Sequence, residues 1–411
     1  MVTSLRFGRD GTLALDLPDG ALVGDNIGSH VEPLKDTVAA VCAALDNPVE
    51  FPAFRKMVLP DDVVAIVLEP GLPCSAKLVA GAITSIMGTG VPPELIRIVR
   101  ARGDKAINDK QLLSCVDTGI AERVELTRHD PASRESLSFL GASKGGHAIY
   151  VNRVLCDAEV VIPIGSYRSP CHGSCLGVHH SWFPAFADLE SQERFTKSLS
   201  KASAKEISER TAECEDASWM LGIQIMVQLV PAGDDRALQV IAGSPKAVWE
   251  KANAVAEGAW RVNLDRRASL VVAAIGGGPD QQTWDNVVRT IDIALDAVEP
   301  DGTIAICSQL KTKPGPALRR LGGADDYESA DRAIHRKPTP DALAASRLNR
   351  ALQRARVYLL SNLEEADVEE IGVAYVSDAS EIVKLSSHYD SCLVLQDAQH
   401  VSISLAMEGD R

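Results

Sequence analysis

The sequence lacks an excess of positive charge. Its 411 residues contain 42 Lys and Arg against 56 Asp and Glu, so the formal net charge is −14. Binding to a phosphate backbone needs clustered positive side chains, and this balance argues against a nucleic-acid partner. The sequence also lacks an apolar run of the ~20 residues that cross a membrane. Its start, "MVTSLRFGRDG", has no apolar signal-peptide core. It therefore predicts a cytoplasmic protein with neither a nucleic-acid nor a membrane partner.

Common metal and nucleotide motifs are missing as well. The stretch "GSYRSPCHGSCLGVHH" holds Cys171, His172, Cys175, His179 and His180, but their spacing matches no standard zinc pattern, and no C-x₂-C pair stands elsewhere. A metal site, a Cys nucleophile and a loop that only packs all remain open for this stretch. "IGGGPDQQ" is not G-x-G-x-x-G, and no P-loop lysine follows it, so it predicts either an anion site or a tight turn. The nine cysteines are scattered and odd in number, which favours buried free thiols over disulfides.

What the sequence does contain is an alternation of apolar strands with helices. "DDVVAIVLEP" and "AEVVIPIGS" read as strands that are apolar on both faces, which is typical of a parallel sheet covered by helices. The alternation restarts at "SLVVAAIGGGP". The pattern predicts an α/β protein of two domains, 1–244 and 246–392, with largely parallel sheets around an interdomain cleft. The tail, 393–411, is expected to return to the first domain.

The loops that follow these strands are the expected place for chemistry. Ligands bind outside the carboxyl ends of the strands in open parallel sheets. Four loops are therefore expected to converge on one cleft: Glu69–Cys74, Gly103–Lys105, Gly165–His180 and Gly276–Gln282.

The order of these segments resembles the nickel-dependent lactate racemase family. "HDPASRESLSFLGASKGGHAIYVNRVLCDAEVVIPIGS" resembles the middle of that family's sequences, and "SLVVAAIGGGPDQQTWDNVVRTIDIALDAV" resembles part of its second domain. The resemblance implies two α/β domains around a cleft, a small 2-hydroxy acid as substrate, and a nickel-pincer nucleotide. That cofactor takes a hydride from the α-carbon of the acid and returns it to either face. In the family, two histidines act as acid and base, a lysine tethers the cofactor, and a further histidine binds nickel.

At the matching positions, this chain carries other side chains. Lys105 stands at the first acid/base His, Pro170 at the second, His180 at the tethering Lys and Thr196 at the nickel-binding His. The resemblance therefore implies an altered set of residues. The catalytic candidates are Lys105, His180 and His172. The candidates for binding the cofactor are Glu69, Gly276, Gly277 and Gly278. The candidates for binding substrate are Asn286 and Arg289, and those for binding nickel or another divalent metal are His172, His179 and His180.

Two functions follow as expectations. The first is a 2-hydroxyacid racemase or epimerase with an altered acid/base pair, whose cofactor is held without a covalent tether because no lysine stands at the tethering position. The alternative is a divergent homologue that binds a nucleotide, a metal or a small acid in the same cleft, with other chemistry or none.

Overall fold

Two six-stranded sheets organise the protein in a computed structural model, which describes residues 2–26, 32–101, 107–170, 177–196, 203–324, 326–336 and 339–406. The strands are β1 (Val2–Phe7), β2 (Gly11–Asp16), β3 (Leu22–Asp25), β4 (Val64–Leu68), β5 (Ile96–Ala101), β6 (Glu125–His129), β7 (Leu137–Ala142), β8 (Ala148–Asn152), β9 (Val160–Ser166), β10 (Met226–Pro231), β11 (Ala237–Gly243), β12 (Arg261–Leu264), β13 (Ala268–Ala274), β14 (Val298–Cys307), β15 (Arg356–Leu360), β16 (Ala374–Val376), β17 (Cys392–Leu395) and β18 (Ser402–Leu405).

Helices cover both sheets. They are α1 (Thr37–Asp46), α2 (Ser75–Met87), α3 (Asp109–Leu112), α4 (Thr118–Ala121), α5 (Arg153–Cys156), α6 (Leu189–Thr196), α7 (Ala204–Met220), α8 (Pro245–Trp260), α9 (Trp284–Ala297), α10 (Pro316–Arg319), α11 (Tyr327–Arg336), α12 (Ala342–Leu352), α13 (Glu365–Glu369) and α14 (Ala379–Ser386). Among the described helices, none combines the length and the apolar character that crossing a membrane requires.

The first sheet has the strand order β11-β10-β9-β4-β5-β6, and the second has the order β16-β15-β14-β13-β17-β3. Within these two sheets, all pairings are parallel except that of β10 with β11. The prediction of an α/β protein with largely parallel sheets is thus confirmed. We call residues 32–260 the first unit, and residues 2–26 with 261–406 the second unit.

The core follows from strands that are apolar on both faces. All five residues of β4 are buried. Val64 and Ile66 pack into one hydrophobic cluster with α2, whereas Ala65 and Val67 pack into another on the opposite face. That second cluster continues into the second unit through residues such as Val271. The two units therefore share a continuous hydrophobic contact.

The amino terminus joins the second unit, whereas the predicted boundaries placed it in the first. Strand β3 pairs with β17, and the β1–β2 hairpin covers the outer face of the second sheet with Leu5, Leu13 and Leu15. The physical reason is that these apolar side chains alternate along the hairpin and need a sheet face to cover. The tail also differs from expectation, since β17 lies within the second sheet and β18 pairs with β12.

The described cysteines carry free thiols. Cys214, Cys307 and Cys392 are buried, in keeping with the expected buried thiols. Cys115 is exposed, although it lies in an apolar stretch of sequence, because it follows the short helix α3 on the surface.

Candidate functional site

A cleft of about 460 Å³ lies between the two units. Its first-unit wall includes Glu69, Arg168 and His180, and its second-unit wall includes Arg289 of α9 and Arg347 of α12. Glu69 follows β4 directly and Arg168 comes shortly after β9, its neighbour in the sheet. Parallel strands end at the same edge, so these two loops meet there. Apolar side chains complete the lining, and they are Pro70, Pro184, Ala185, Leu189, Pro340 and Leu343.

Glu69 holds Arg168 in place. The Oε1 atom of Glu69 lies 3.0 Å from Nε of Arg168, and the side chains are 12% and 32% exposed, respectively. The Oε2 atom accepts a hydrogen bond of 2.6 Å from the backbone N–H of Ser166. A Cβ atom on Gly165 would lie 2.9 Å from this oxygen, so the glycine permits the close approach. The result is a guanidinium with a fixed orientation in the cleft wall.

Arg289 connects the units by hydrogen bonds to backbone carbonyls. It is 3% exposed, and it donates from Nε to the carbonyl of Gln399 at 2.9 Å and from Nη2 to the carbonyl of Ser169. Asn286, one turn earlier on α9, donates to the carbonyl of Gln281 at 2.8 Å. Both residues line a small cavity beside the cleft, together with His400. Of the two predicted substrate-binding residues, Arg289 also lines the cleft itself.

Arg347 shares a buried carboxylate with Arg350. Asp292 of α9 is completely buried, and its two oxygens lie 3.4 Å from Nε of Arg347 and 2.5 Å from Nη2 of Arg350. Only Arg347 of these two arginines is part of the described cleft lining. Two guanidiniums on one carboxylate leave a net positive charge at this wall.

Three histidines near the cleft are held neutral. Burial, and then the positive charges of Arg168 and Arg347, lower the pKa of His180 to about 4. Burial alone lowers the pKa of His179 to about 4, and burial with Arg289 and Arg168 lowers that of His400 to about 3. The Nδ1 atoms of His179 and His180 are buried and have no hydrogen-bond partner among the described residues. The positive side chains therefore favour an anion here over a protonated imidazole.

The glycine loop after β13 lies against carboxylates and one guanidinium. The N–H of Gly278 donates to Oδ2 of Asp235 at 2.6 Å, and Gly276 lies directly against the carboxylate of Asp397. Burial, followed by the nearby Asp235 charge, raises the pKa of Asp280 in the same loop to about 6. The carboxylates oppose a phosphate at this loop, whereas the guanidinium of Arg9 beside Gly278 favours one, so the cofactor-binding role of these glycines stays a prediction. Because these glycines have no side chain, the carboxylates of Asp235 and Asp397 can lie close to the backbone of the loop.

The structure brings some predicted site residues together and leaves others apart. Glu69, His180 and Arg289 share the cleft. The loop 276–282 contacts the loop after β4, since Nε2 of Gln281 donates to the carbonyl of Gly71 at 3.2 Å, but its glycines do not line the cleft. Lys105, His172, Cys171 and Cys175 lie outside the described residues.

Two important cleft residues were missed from the sequence. Arg168 lies inside the quoted stretch "GSYRSPCHGSC", where the search for metal ligands and nucleophiles passed over it. The sequence did contain a signal for Arg168, because this residue follows a buried strand by two positions. Arg347 lies in the middle of an amphipathic helix, and no local pattern distinguishes it from a surface arginine.

Comparison with known proteins agrees with this geometry. Residues 7–188 match the family model of the lactate racemase N-terminal domain. The match covers 182 of the 411 residues, so the likeness to the lactate racemase family is shown for this part of the chain. The assignment confirms the resemblance seen in the sequence, and the matched region contains Glu69, Arg168 and His180.

Solved structures extend the likeness in fold to the whole chain. The lactate racemase apoprotein from Thermoanaerobacterium thermosaccharolyticum superposes with a TM-score of 0.81 at 16% identity, covering 98% of this chain and 100% of that chain. A protein from Thermotoga maritima gives a TM-score of 0.65 at 16% identity, covering 91% and 99%. No curated protein sequence matches the chain. The fold is therefore that of a lactate racemase, while the low identity leaves the chemistry to the residues themselves.

A nickel-pincer nucleotide attached as the family resemblance implies does not fit the described residues. The tethering position holds His180, and an acylated imidazole is readily hydrolysed, whereas the tether needs a stable bond to a primary amine. The described cleft lining contains no lysine. Within the same part of the chain, no three His, Cys, Asp or Glu side chains are grouped to hold a metal ion. His172, one of the three predicted ligands, lies outside the described residues, so the metal site stays a prediction.

Proposed function

We propose that this chain binds a small carboxylate of the 2-hydroxy acid class in the cleft between its two units. The observation that carries the proposal is the convergence of Arg168, Arg289 and Arg347 on one cleft from both units. A guanidinium binds a carboxylate through paired, charge-assisted hydrogen bonds. The likeness to the lactate racemase family supports the class of acid.

Side chains of the cleft can contact the carboxylate, the hydroxyl and the carbon chain of such a ligand. Arg168 is oriented by its ion pair with Glu69, so its guanidinium needs little reorganisation to meet a carboxylate in the cleft. His180 beside it is neutral, and a neutral imidazole can donate or accept a hydrogen bond with a hydroxyl. The apolar residues of the lining, such as Leu189 and Leu343, would contact the carbon chain.

Replacing Arg168 by Gln should weaken binding of lactate about tenfold to hundredfold. A hydrogen bond to a charged group contributes about 1.5–3 kcal/mol, which corresponds to that factor in the dissociation constant. Isothermal titration calorimetry with lactate, and with its neutral amide as comparison, measures the effect.

The matched control is Arg123→Gln. Arg123 is also an arginine paired with a glutamate, Glu94, but both side chains are more than half exposed and lie outside the described cleft lining. This variant should bind lactate as the unchanged protein does. Equal binding of lactate and its amide, or no binding of any carboxylate, would overturn the proposal.

A second candidate function is racemisation or epimerisation of the bound acid, with a nickel-pincer nucleotide held without a covalent bond. The chemistry that such a cofactor supplies is removal of a hydride from the α-carbon and its return to either face. The observation that favours this candidate is the pair of neutral imidazoles, His179 and His180, whose buried Nδ1 atoms lack partners among the described residues. Neutral imidazole is the form that binds divalent metals.

For this candidate, the denatured chain should keep its unmodified mass of 43.9 kDa after exposure to the cofactor. Intact mass spectrometry measures the mass, and metal analysis of the native protein measures nickel, which should fall in His180→Ala. A mass adduct that survives denaturation would contradict noncovalent attachment. Absence of nickel and of any bound chromophore would leave carboxylate binding as the function.

A further inference from the structure

The second-unit wall of the cleft holds a guanidinium whose outer edge has no partner among the residues that the structure describes. The side chain of Arg347 is 7% exposed, and in the described part of the chain its ion pair is made through Nε, 3.4 Å from Oδ2 of Asp292. Its two Nη atoms make no hydrogen bond to any described residue. Arg347 also lines the cleft, so its guanidinium is within reach of a ligand there.

The charge balance at this wall is incomplete. Asp292 is fully buried, and it forms ion pairs with both Arg347 and Arg350. One carboxylate cannot neutralise two guanidiniums, so the cluster keeps a net positive charge, and Arg347, at 7% exposure against 24% for Arg350, is the less hydrated of the two. An uncompensated buried charge is costly, and an anion beside it removes that cost.

The other acidic residues of the lining do not supply this anion. Asp285 is exposed at the start of α9, where water screens its charge. Glu193 is half-buried and has an interaction of its own. Glu69 is engaged by Arg168 and by the backbone of Ser166.

We propose that Arg347 binds a second anionic group of the ligand, so that the preferred ligands are 2-hydroxy acids that also carry a carboxylate or a phosphate. The inference rests on the proposed function, because the first carboxylate is assigned to the opposite wall, at Arg168. The cleft volume of about 460 Å³ has room for an acid longer than lactate. Planar guanidinium donors match both a carboxylate and a phosphate.

The test is calorimetry with acids that differ in one charge. Malate and 3-phosphoglycerate should bind about tenfold to hundredfold more tightly than lactate and than the 4-methyl ester of malate, which has the same carbon chain and a single carboxylate. The comparison of malate with 3-phosphoglycerate shows which second anion is preferred. Replacing Arg347 by Met should abolish the advantage of both dianions, and Arg347→Lys should keep part of it.

Arg350→Met is the matched control. It removes the other guanidinium from Asp292 without changing the described cleft lining. The cluster then loses one positive charge, so the preference for dianions should fall in part, but less than in Arg347→Met, because Arg347 stays in the lining. Equal binding of lactate and malate, or an equal loss of preference in Arg350→Met, overturns the role of Arg347 while leaving carboxylate binding intact. Failure of every acid to bind, lactate included, overturns the proposed function and this inference with it.

Discussion

Replacing Asp292 by Ala should lower the free energy of unfolding by about 3–5 kcal/mol, because it leaves two guanidiniums without their buried counterion. Asp292 is fully buried between α9 and α12, and it pairs with Arg347 and Arg350. Equilibrium denaturation by urea measures the change.

The control for this variant is Glu250→Ala. Glu250 also pairs with a basic residue, Lys246, but the two side chains are 61% and 85% exposed and lie 3.8 Å apart. Exposed pairs of this kind contribute about 0.3–0.5 kcal/mol. A loss in Asp292→Ala no larger than that in Glu250→Ala would mean that the buried cluster does not stabilise the second unit.

Replacing Gly276 by Ala should destabilise the fold by about 1–3 kcal/mol, as overpacking of a core does. A Cβ atom at this position would collide with Oδ1 of Asp397. Asp397 is 6% exposed, has a backbone φ of 48° and is also held against Gly233, so its short side chain has little room to move. Thermal unfolding of the protein without any added cofactor measures the effect.

Gly258→Ala is the comparison, because Gly258 lies in α8 and a new Cβ there would meet no atom within 4 Å beyond its chain neighbours and the backbone of its own helix. This substitution should stabilise the protein by about 0.5–1 kcal/mol, since alanine favours helix more than glycine does. If Gly276 served only to bind a cofactor, its replacement would leave the stability of the cofactor-free protein unchanged. That outcome would favour the cofactor role and contradict the packing role.

The sequence alone determined the class of fold. The run "DDVVAIVLEP" predicted a strand apolar on both faces, and β4 is buried at every residue. The restart at Ser269 predicted a second sheet, and β13 spans Ala268–Ala274. These inferences succeed because a strand that is buried on both faces consists of consecutive apolar residues, and such a run is visible in the sequence. The order of the segments was enough to recognise the lactate racemase family.

Only the tertiary structure decided which distant segments meet. Strand β3 pairs with β17, although most of the chain separates them in sequence. Arg347 of the second unit lines the same cleft as His180 of the first. The glycines of "IGGGPDQQ" left an anion site and a tight turn equally open, and Asp397 on the other side of the loop favours close packing. The physical reason is that a local pattern records how deeply a side chain is buried but not what lies against it. The charge of the cleft depends on side chains from both units, so it could be determined only from the tertiary structure.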